Sequence, residues 1–220
     1  MRTLRTLGAH IVAALLLMAA PAAGQDHNNA AGYGAGFLLP GAFNPGASGS
    51  ELAMDAGWVA TAFGEAWHVA GGRLGARLNG MFSQRPLQVG EENRDINTFA
   101  ADASIIARLL SPTPGNAFAP FVSAGGGIVR YGLGRGMELD FPEAGVTYPG
   151  DDEIQWALVG GAGFDILPAG FRVGGNPLGI RVEVADHVVL RSPFRGTDGE
   201  RLGPIHNIRA GISLIGLGWF

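Results

Sequence analysis

Residues 73–85 read Arg73-Leu74-Gly75-Ala76-Arg77-Leu78-Asn79-Gly80-Met81-Phe82-Ser83-Gln84-Arg85. Leu74, Ala76, Leu78, Gly80 and Phe82 alternate with Arg73, Gly75, Arg77, Asn79, Met81, Ser83 and Arg85, so one face is apolar and the other strongly polar. Successive side chains of a strand point to opposite faces, whereas a helix needs apolar residues three and four apart, so this is a strand pattern. The same alternation recurs downstream. Phe99, Ala101, Ala103, Ile105, Ala107 and Leu109 oppose Thr98, Asp102, Ser104 and Arg108, and Ile154, Trp156, Leu158, Ala162, Phe164 and Ile166 oppose Glu153, Gln155, Gly161, Gly163 and Asp165. Ile180, Val182 and Val184 oppose Arg181 and Glu183, and Ile208, Ala210, Ile212 and Leu214 oppose Asn207, Arg209, Gly211 and Ser213.

Working outward from these stretches gives eight segments, at about 31–40, 53–68, 72–86, 98–111, 119–133, 153–167, 178–192 and 205–220. Eight is an even number, as single-chain bacterial barrels require. The connections alternate as well. Ala70–Gly72, Pro112–Asn116 and Pro168–Pro177 are compact and rich in turn residues, while Gly41–Ser50, Leu87–Asn97, Gly134–Asp152 and Pro193–Pro204 are generally longer. Short turns at one end and long loops at the other are the layout of an outer-membrane barrel, with both termini on the periplasmic side. The Gly125-Gly126-Gly127 run in the fifth segment predicts a bend or bulge.

Two eight-stranded architectures fit this pattern, a transmembrane barrel with its apolar face outward and a soluble lipocalin-like cup with its apolar face inward. The polar face carries Glu65, Arg73, Arg77, Asp102, Arg108, Asp165, Arg181, Glu183 and Arg209, a set of both signs able to pair inside a lumen. The expectation is an all-β, eight-stranded, antiparallel up-and-down transmembrane barrel with these residues as a lumen charge network. Leu74, Phe82, Ile105 and Ile180 at the centre, with Arg77, Asp102 and Arg181 in solvent, would contradict it. Eight strands leave an interior just wide enough for side chains, which disfavours a general pore.

Residues 1–24 have the layout of a secretory signal peptide: Arg2 and Arg5, an apolar run from Ile11 to Ala20, then Pro21-Ala22-Ala23-Gly24. The apolar run is about half of the roughly 20 residues a spanning helix needs, and no later stretch approaches 18. Residues 25–220 then form one domain. That domain has no cysteine and no lysine; its arginines number 13 (15 less Arg2 and Arg5) against 19 acidic residues, a balance of −6 that argues against nucleic acid as a partner.

The chain closes on Ile208-Arg209-Ala210-Gly211-Ile212-Ser213-Leu214-Ile215-Gly216-Leu217-Gly218-Trp219-Phe220 and opens its strands with Gly32-Tyr33-Gly34-Ala35-Gly36-Phe37. With Pro120–Gly127 and Arg181-Val182-Glu183-Val184, this resembles the small outer-membrane β-barrel family that includes OmpA-like and OmpX-like domains. The resemblance implies a Gram-negative outer-membrane location, contact with outer-membrane lipid and lipopolysaccharide, insertion by the barrel-assembly machinery with Phe220 as assembly signal, and a structural or surface-interaction role as a monomer. The family usually has another aromatic two residues before the last, where this chain has Gly218.

Catalytic chemistry is sparse. A serine hydrolase needs Ser, His and a carboxylate in hydrogen-bond reach; the candidates are His187 with Ser192 and Asp186, or His206 with Ser213. His187 and Ser192 differ by an odd number and would face opposite sides of a regular strand. No catalytic residue, cofactor or metal ligand is assigned. Glu138, Asp140, Glu143, Asp151, Asp152 and Glu153 offer oxygen ligands for Ca²⁺ without an EF-hand register, and Gly132–Gly136 and Gly160–Gly163 complete no phosphate-binding motif. A lipid A deacylase or acyltransferase, a narrow channel for small apolar solutes and the soluble binding barrel stay open as alternatives.

Overall fold

A computed structural model of the chain describes residues 29–42, 52–69, 73–89, 92–110, 117–133, 139–141, 146–148, 154–196, 199–201 and 203–217. Residues 1–24 and Phe220 lie outside them, as do Glu138, Glu143 and Asp151 to Glu153.

Eight long strands carry the period-two segments: β1 (Asn29–Leu38), β2 (Gly57–Val69), β3 (Leu74–Val89), β4 (Glu92–Arg108), β5 (Phe118–Leu133), β6 (Ile154–Ile166), β7 (Asn176–Val189) and β8 (Ile205–Leu217). Each pairs antiparallel with its neighbour in the chain. The last returns to the first, from Ala30↔Leu217 to Leu38↔Arg209, so the eight-stranded ring is closed. Closure satisfies the ladder groups that an open sheet would leave unpaired along its two edges.

The register sets the shape of the ring. Directly opposed residues run Asn29, Ala66, Ala76, Ile105, Ala124, Gly160, Asp186, Ile208, and the amide of Leu39 donates to the Ile208 carbonyl at 2.7 Å. One circuit thus returns to β1 at Leu39, ten positions beyond Asn29. With strands ~4.8 Å apart and ~3.3 Å per residue, that stagger requires a tilt of about 40° and a radius of about 8 Å, a ring that side chains fill.

Around the end that carries Asn29 and Leu217, called here the terminal end, the links are short. Val173 pairs with Asn176 across Gly174 and Gly175, whose φ values of 59° and 87° are the left-handed conformations of a two-residue hairpin. At the opposite, loop end, Leu52–Met54 pairs with β3 and with Gly41–Ala42, and Leu139–Phe141, Val146–Tyr148 and Arg195–Gly196 form a small separate sheet.

Two local expectations are corrected. Leu87–Asn97 is not a loop: β3 and β4 continue in register to Val89↔Glu92. Pro86 and the charges at Glu91, Glu92, Arg94 and Asp95 mimic loop composition, yet the alternation persists, with Leu87 and Ile96 both buried inside. Nor do Gly125 to Gly127 mark a bulge, because both flanking ladders run through them unbroken and the irregularity lies between Trp67 and Val69. A Cβ on Gly125 would run into the Ala103 carbonyl and Ser104 of β4, so close strand approach is what keeps this position glycine.

The two faces of the ring are inverted relative to a soluble protein. Outside, Ile105 is 64% and Trp156 74% exposed, joined by Tyr33, Phe37, Leu78, Leu158, Val184 and Ile212. Leu74 and Ile180 are on the same exposed wall, and Phe82 is half-covered there by Trp58 and Phe99, with ring centroids 5.2 and 4.7 Å away. Inside, Arg77, Asp102 and Arg181 are buried. No helix among the described residues is long and apolar enough to cross a membrane.

Candidate functional site

The interior is layered. Nearest the terminal end, Ala30, Phe63, Ile215 and Leu217 cluster with Leu167, and Trp67, Ile106 and Phe121 form a second apolar group. The charge network lies among and above them. Arg181, with no solvent exposure, is its hub: Nε and Nη2 donate to the Asp165 carboxylate at 2.7 and 3.0 Å, and Nη1 and Nη2 donate to Glu65, the latter bond at 3.1 Å. Its guanidinium also lies 4.6 Å from the Phe63 ring centre and 4.4 Å from that of Phe121. Two carboxylates and two aromatic faces thereby hold one cation, the arrangement a planar guanidinium suits better than an ammonium.

The same logic extends outward. Arg77 Nη2 donates to Glu183 Oε1 at 2.8 Å and to Ser123 at 3.0 Å, and its Nη1 is 3.9 Å from Glu65. Arg209 approaches Glu183 at 3.2 Å, while Arg108 stacks 3.7 Å from the Trp67 ring centre and comes 3.7 Å from Asp165. Trp67 Nε1 donates to Glu65 at 3.1 Å. One step nearer the loops, Asp102 Oδ2 accepts from Asn79 at 2.7 Å and lies 3.0 Å from His187 Nε2.

Eight of the nine residues read from the polar face therefore come together: Glu65, Arg77, Asp102, Arg108, Asp165, Arg181, Glu183 and Arg209 are all buried. Arg73 is the correction. It is exposed at the turn entering β3, beyond the ring's end, where its carbonyl accepts from the Arg108 amide at 2.8 Å. Glycines on the inward face supply the space: a Cβ on Gly32 would sit 2.5 Å from Phe63 Cζ, and one on Gly163 would sit 2.8 Å from Phe121 Cζ.

Sequence reasoning missed the loop-end layer. Leu38, Met54, Val59, Met81, Leu87, Ile96, Ala100, Val129, Tyr131, Ala157, Val189, Phe194 and Ile205 form the largest apolar cluster, and it lies inside the ring. The signal was present in Met81, which interrupts the polar face of β3. Within this layer Arg85 Nη2 donates to Asn207 Oδ1 at 2.6 Å, and Asn207 Nδ2 donates to the Tyr131 hydroxyl at 2.8 Å.

Most aromatic residues of the outer wall fall in two bands, with Tyr33 between them. Phe37, Trp58, Phe82, Phe99 and Trp156 belong to the loop-end half, and Phe118 and Phe164, 4.9 Å apart, to the terminal end. The register places the bands roughly 20 Å apart along the axis.

The hydrolase candidates are scattered. His187 is inside on Asp102, Ser192 Oγ accepts from the Phe194 amide at 3.0 Å, and Asp186 is on the outer wall. There Asp186 Oδ2 meets His206 Nδ1 at 2.6 Å, a pair exposed to solvent, while Ser213 faces the lumen. Among the described residues, no group of three or more His, Cys, Asp or Glu side chains is arranged to hold a metal.

No protein-family model matches the chain, and no curated protein does. Solved structures do. Neisserial surface protein A aligns over 88% of this chain and 98% of its own at 10% identity, with a TM-score of 0.55. The outer membrane protein OprG from Pseudomonas aeruginosa aligns over 86% and 94% at 12% identity with a TM-score of 0.47, and Ail, the attachment invasion locus protein of Yersinia pestis, over 86% and 99% at 11% with 0.40. The chain shares the closed eight-stranded barrel fold of Neisserial surface protein A.

Proposed function

We propose that this chain is an integral outer-membrane barrel of the small OmpA-like and OmpX-like kind, with a structural or surface-interaction role, no open pore and no enzymatic activity. One observation carries the reading: a wall of exposed apolar side chains, bounded by two aromatic bands, surrounds a buried ion network. An apolar band about 25 Å tall between aromatic girdles is what hydrocarbon between two interfaces selects, whereas a soluble barrel would expose that apolar wall to water. A soluble cup would gather Ile105, Leu158 and Ile212 at its centre, and they lie outside.

In this reading both termini face the periplasm, the loop end faces the exterior, and the wall contacts lipid and the acyl chains of lipopolysaccharide. The loops contact lipopolysaccharide headgroups or other proteins. Insertion uses the barrel-assembly machinery, the folded state is a monomer, and nucleic acid is not a partner. The apolar layer at the loop end, with Leu38, Leu87, Ile96 and Phe194 all fully buried, closes the lumen to solutes.

Heating in detergent tests it first. The folded protein is expected to migrate faster on a gel before boiling than after, and to partition with detergent. On intact cells, added protease is expected to cut at the loop end alone. An unshifted, freely soluble protein overturns the reading, as does cleavage at the terminal-end turns of intact cells. Conductance steps in planar bilayers would replace the closed lumen with a channel.

A further inference from the structure

Among the described residues five arginines are buried within the ring, and four have a carboxylate: Arg77 has Glu183, Arg108 has Asp165, Arg181 has Glu65 and Asp165, and Arg209 has Glu183. Arg85 is the exception. It is only 1% exposed, its Nη2 is spent on the neutral Asn207 amide, and Nε and Nη1 have no hydrogen-bond partner. Two hydroxyls nearby are in the same condition. Ser83, two residues earlier on the same face of β3, and Thr98, directly opposite Ser83 on β4, are both fully buried with unpartnered oxygens.

These atoms share a chemistry. Guanidinium N–H groups only donate, and a serine or threonine hydroxyl can turn its proton inward, so the four polar atoms together form a donor set with a net positive charge. Water would satisfy the hydrogen bonds and leave the charge uncompensated, and an uncompensated buried ion is strongly unfavourable. The carboxylate in the next layer, Asp102, meets Asn79 and His187 through Oδ2, and although its Oδ1 has no hydrogen-bond partner it forms no ion pair with Arg85. Leu38, Leu87, Ile96 and Phe194, all fully buried, enclose this end of the ring and shut it off from bulk solvent.

We propose that Arg85, Ser83 and Thr98 bind a small monovalent anion of the halide class inside the barrel beneath its loop-end mouth. The ion supplies the counter-charge that the other four arginines take from carboxylates. It acts as a structural ligand of the folded state, and linkage then makes stability rise with its concentration.

The test is urea unfolding of the purified full chain in a non-ionic detergent, with chloride exchanged for gluconate at constant ionic strength. Well above the dissociation constant, each tenfold rise in chloride is expected to raise the folded-to-unfolded ratio about tenfold. Arg85→Met is expected to abolish the dependence and Thr98→Val to weaken it. If Arg85→Met does not fold, crystals of the unaltered protein grown in bromide decide, by an anomalous peak within hydrogen-bond distance of Nε or Nη1. Equal stability in chloride and gluconate, a chloride effect unchanged in a folded Arg85→Met or in Thr98→Val, or water in place of bromide at the guanidinium overturns the proposal.

Discussion

Arg181 and Arg85 are both buried guanidiniums on inward faces of one barrel, and their surroundings could hardly differ more. Arg181 sits between Glu65 and Asp165 with Phe63 and Phe121 against its faces, whereas Arg85 has one amide oxygen and an apolar layer around it. The terminal half of the interior is thus held by ion pairs that reach across the ring, from β7 to β2 and from β3 to β7. The loop half is held by packing. A ring too narrow for bulk water requires each buried charge to find its partner inside, and the terminal half meets that requirement with its own side chains.

Breaking the hub should have the largest effect. Arg181→Ala leaves Glu65 and Asp165 facing one another with the longer contacts from Arg77 and Arg108 as their remaining ion pairs and the Trp67 hydrogen bond on Glu65, and is expected to cost about 3–5 kcal/mol of unfolding free energy. Urea titration in micelles measures it. A smaller cost for Arg181→Ala than for Arg85→Met would reverse the comparison between the two halves.

A second substitution sharpens the contrast between interior and wall. Ile105 points outward on β4 between the two aromatic bands, and Ile105→Arg places in lipid the same group that the lumen holds by pairing. The expected cost is about 2–4 kcal/mol in vesicles. An exposed position of a soluble barrel would register within about 0.5 kcal/mol, so a neutral result argues against the membrane reading.

The parts legible in the sequence were those governed by period two. Strand number and the division of residues between two faces follow from alternation, because a one-residue slip would exchange the faces, whereas the inward placement of the ionic face followed from its charges of both signs, which can pair inside a lumen. Boundaries were less legible: Pro86 and Asp95 look like loop residues, yet they sit opposite each other in a continuing hairpin. Arg73 illustrates a limit of the same kind, since alternation assigns a face but not the height at which a strand begins. The apolar layer at the loop end was not legible as a unit. Its members come from all eight strands and from Met54 and Phe194, and only the stagger of the ring brings them to one level.

The smallest expected effect concerns the Asp186–His206 pair on the outer wall. Asp186 and His206 are 2.6 Å apart on β7 and β8, the distance at which a carboxylate orients a general base. Such a base needs a nucleophile in reach on the same face, and the serine on its own strand, Ser213, faces the lumen. The pair lies at the level of the loop-end aromatic band, where headgroups and water reach it, so its contribution to stability should be no more than about 1 kcal/mol. His206→Ala is therefore expected to leave heat-modifiable mobility intact and to give cells whose lipid A acyl pattern matches that of cells producing the unaltered protein. If the unaltered protein changes that pattern and His206→Ala abolishes the change while the barrel still folds, the dyad is catalytic and the wall is an active site rather than a lipid seal.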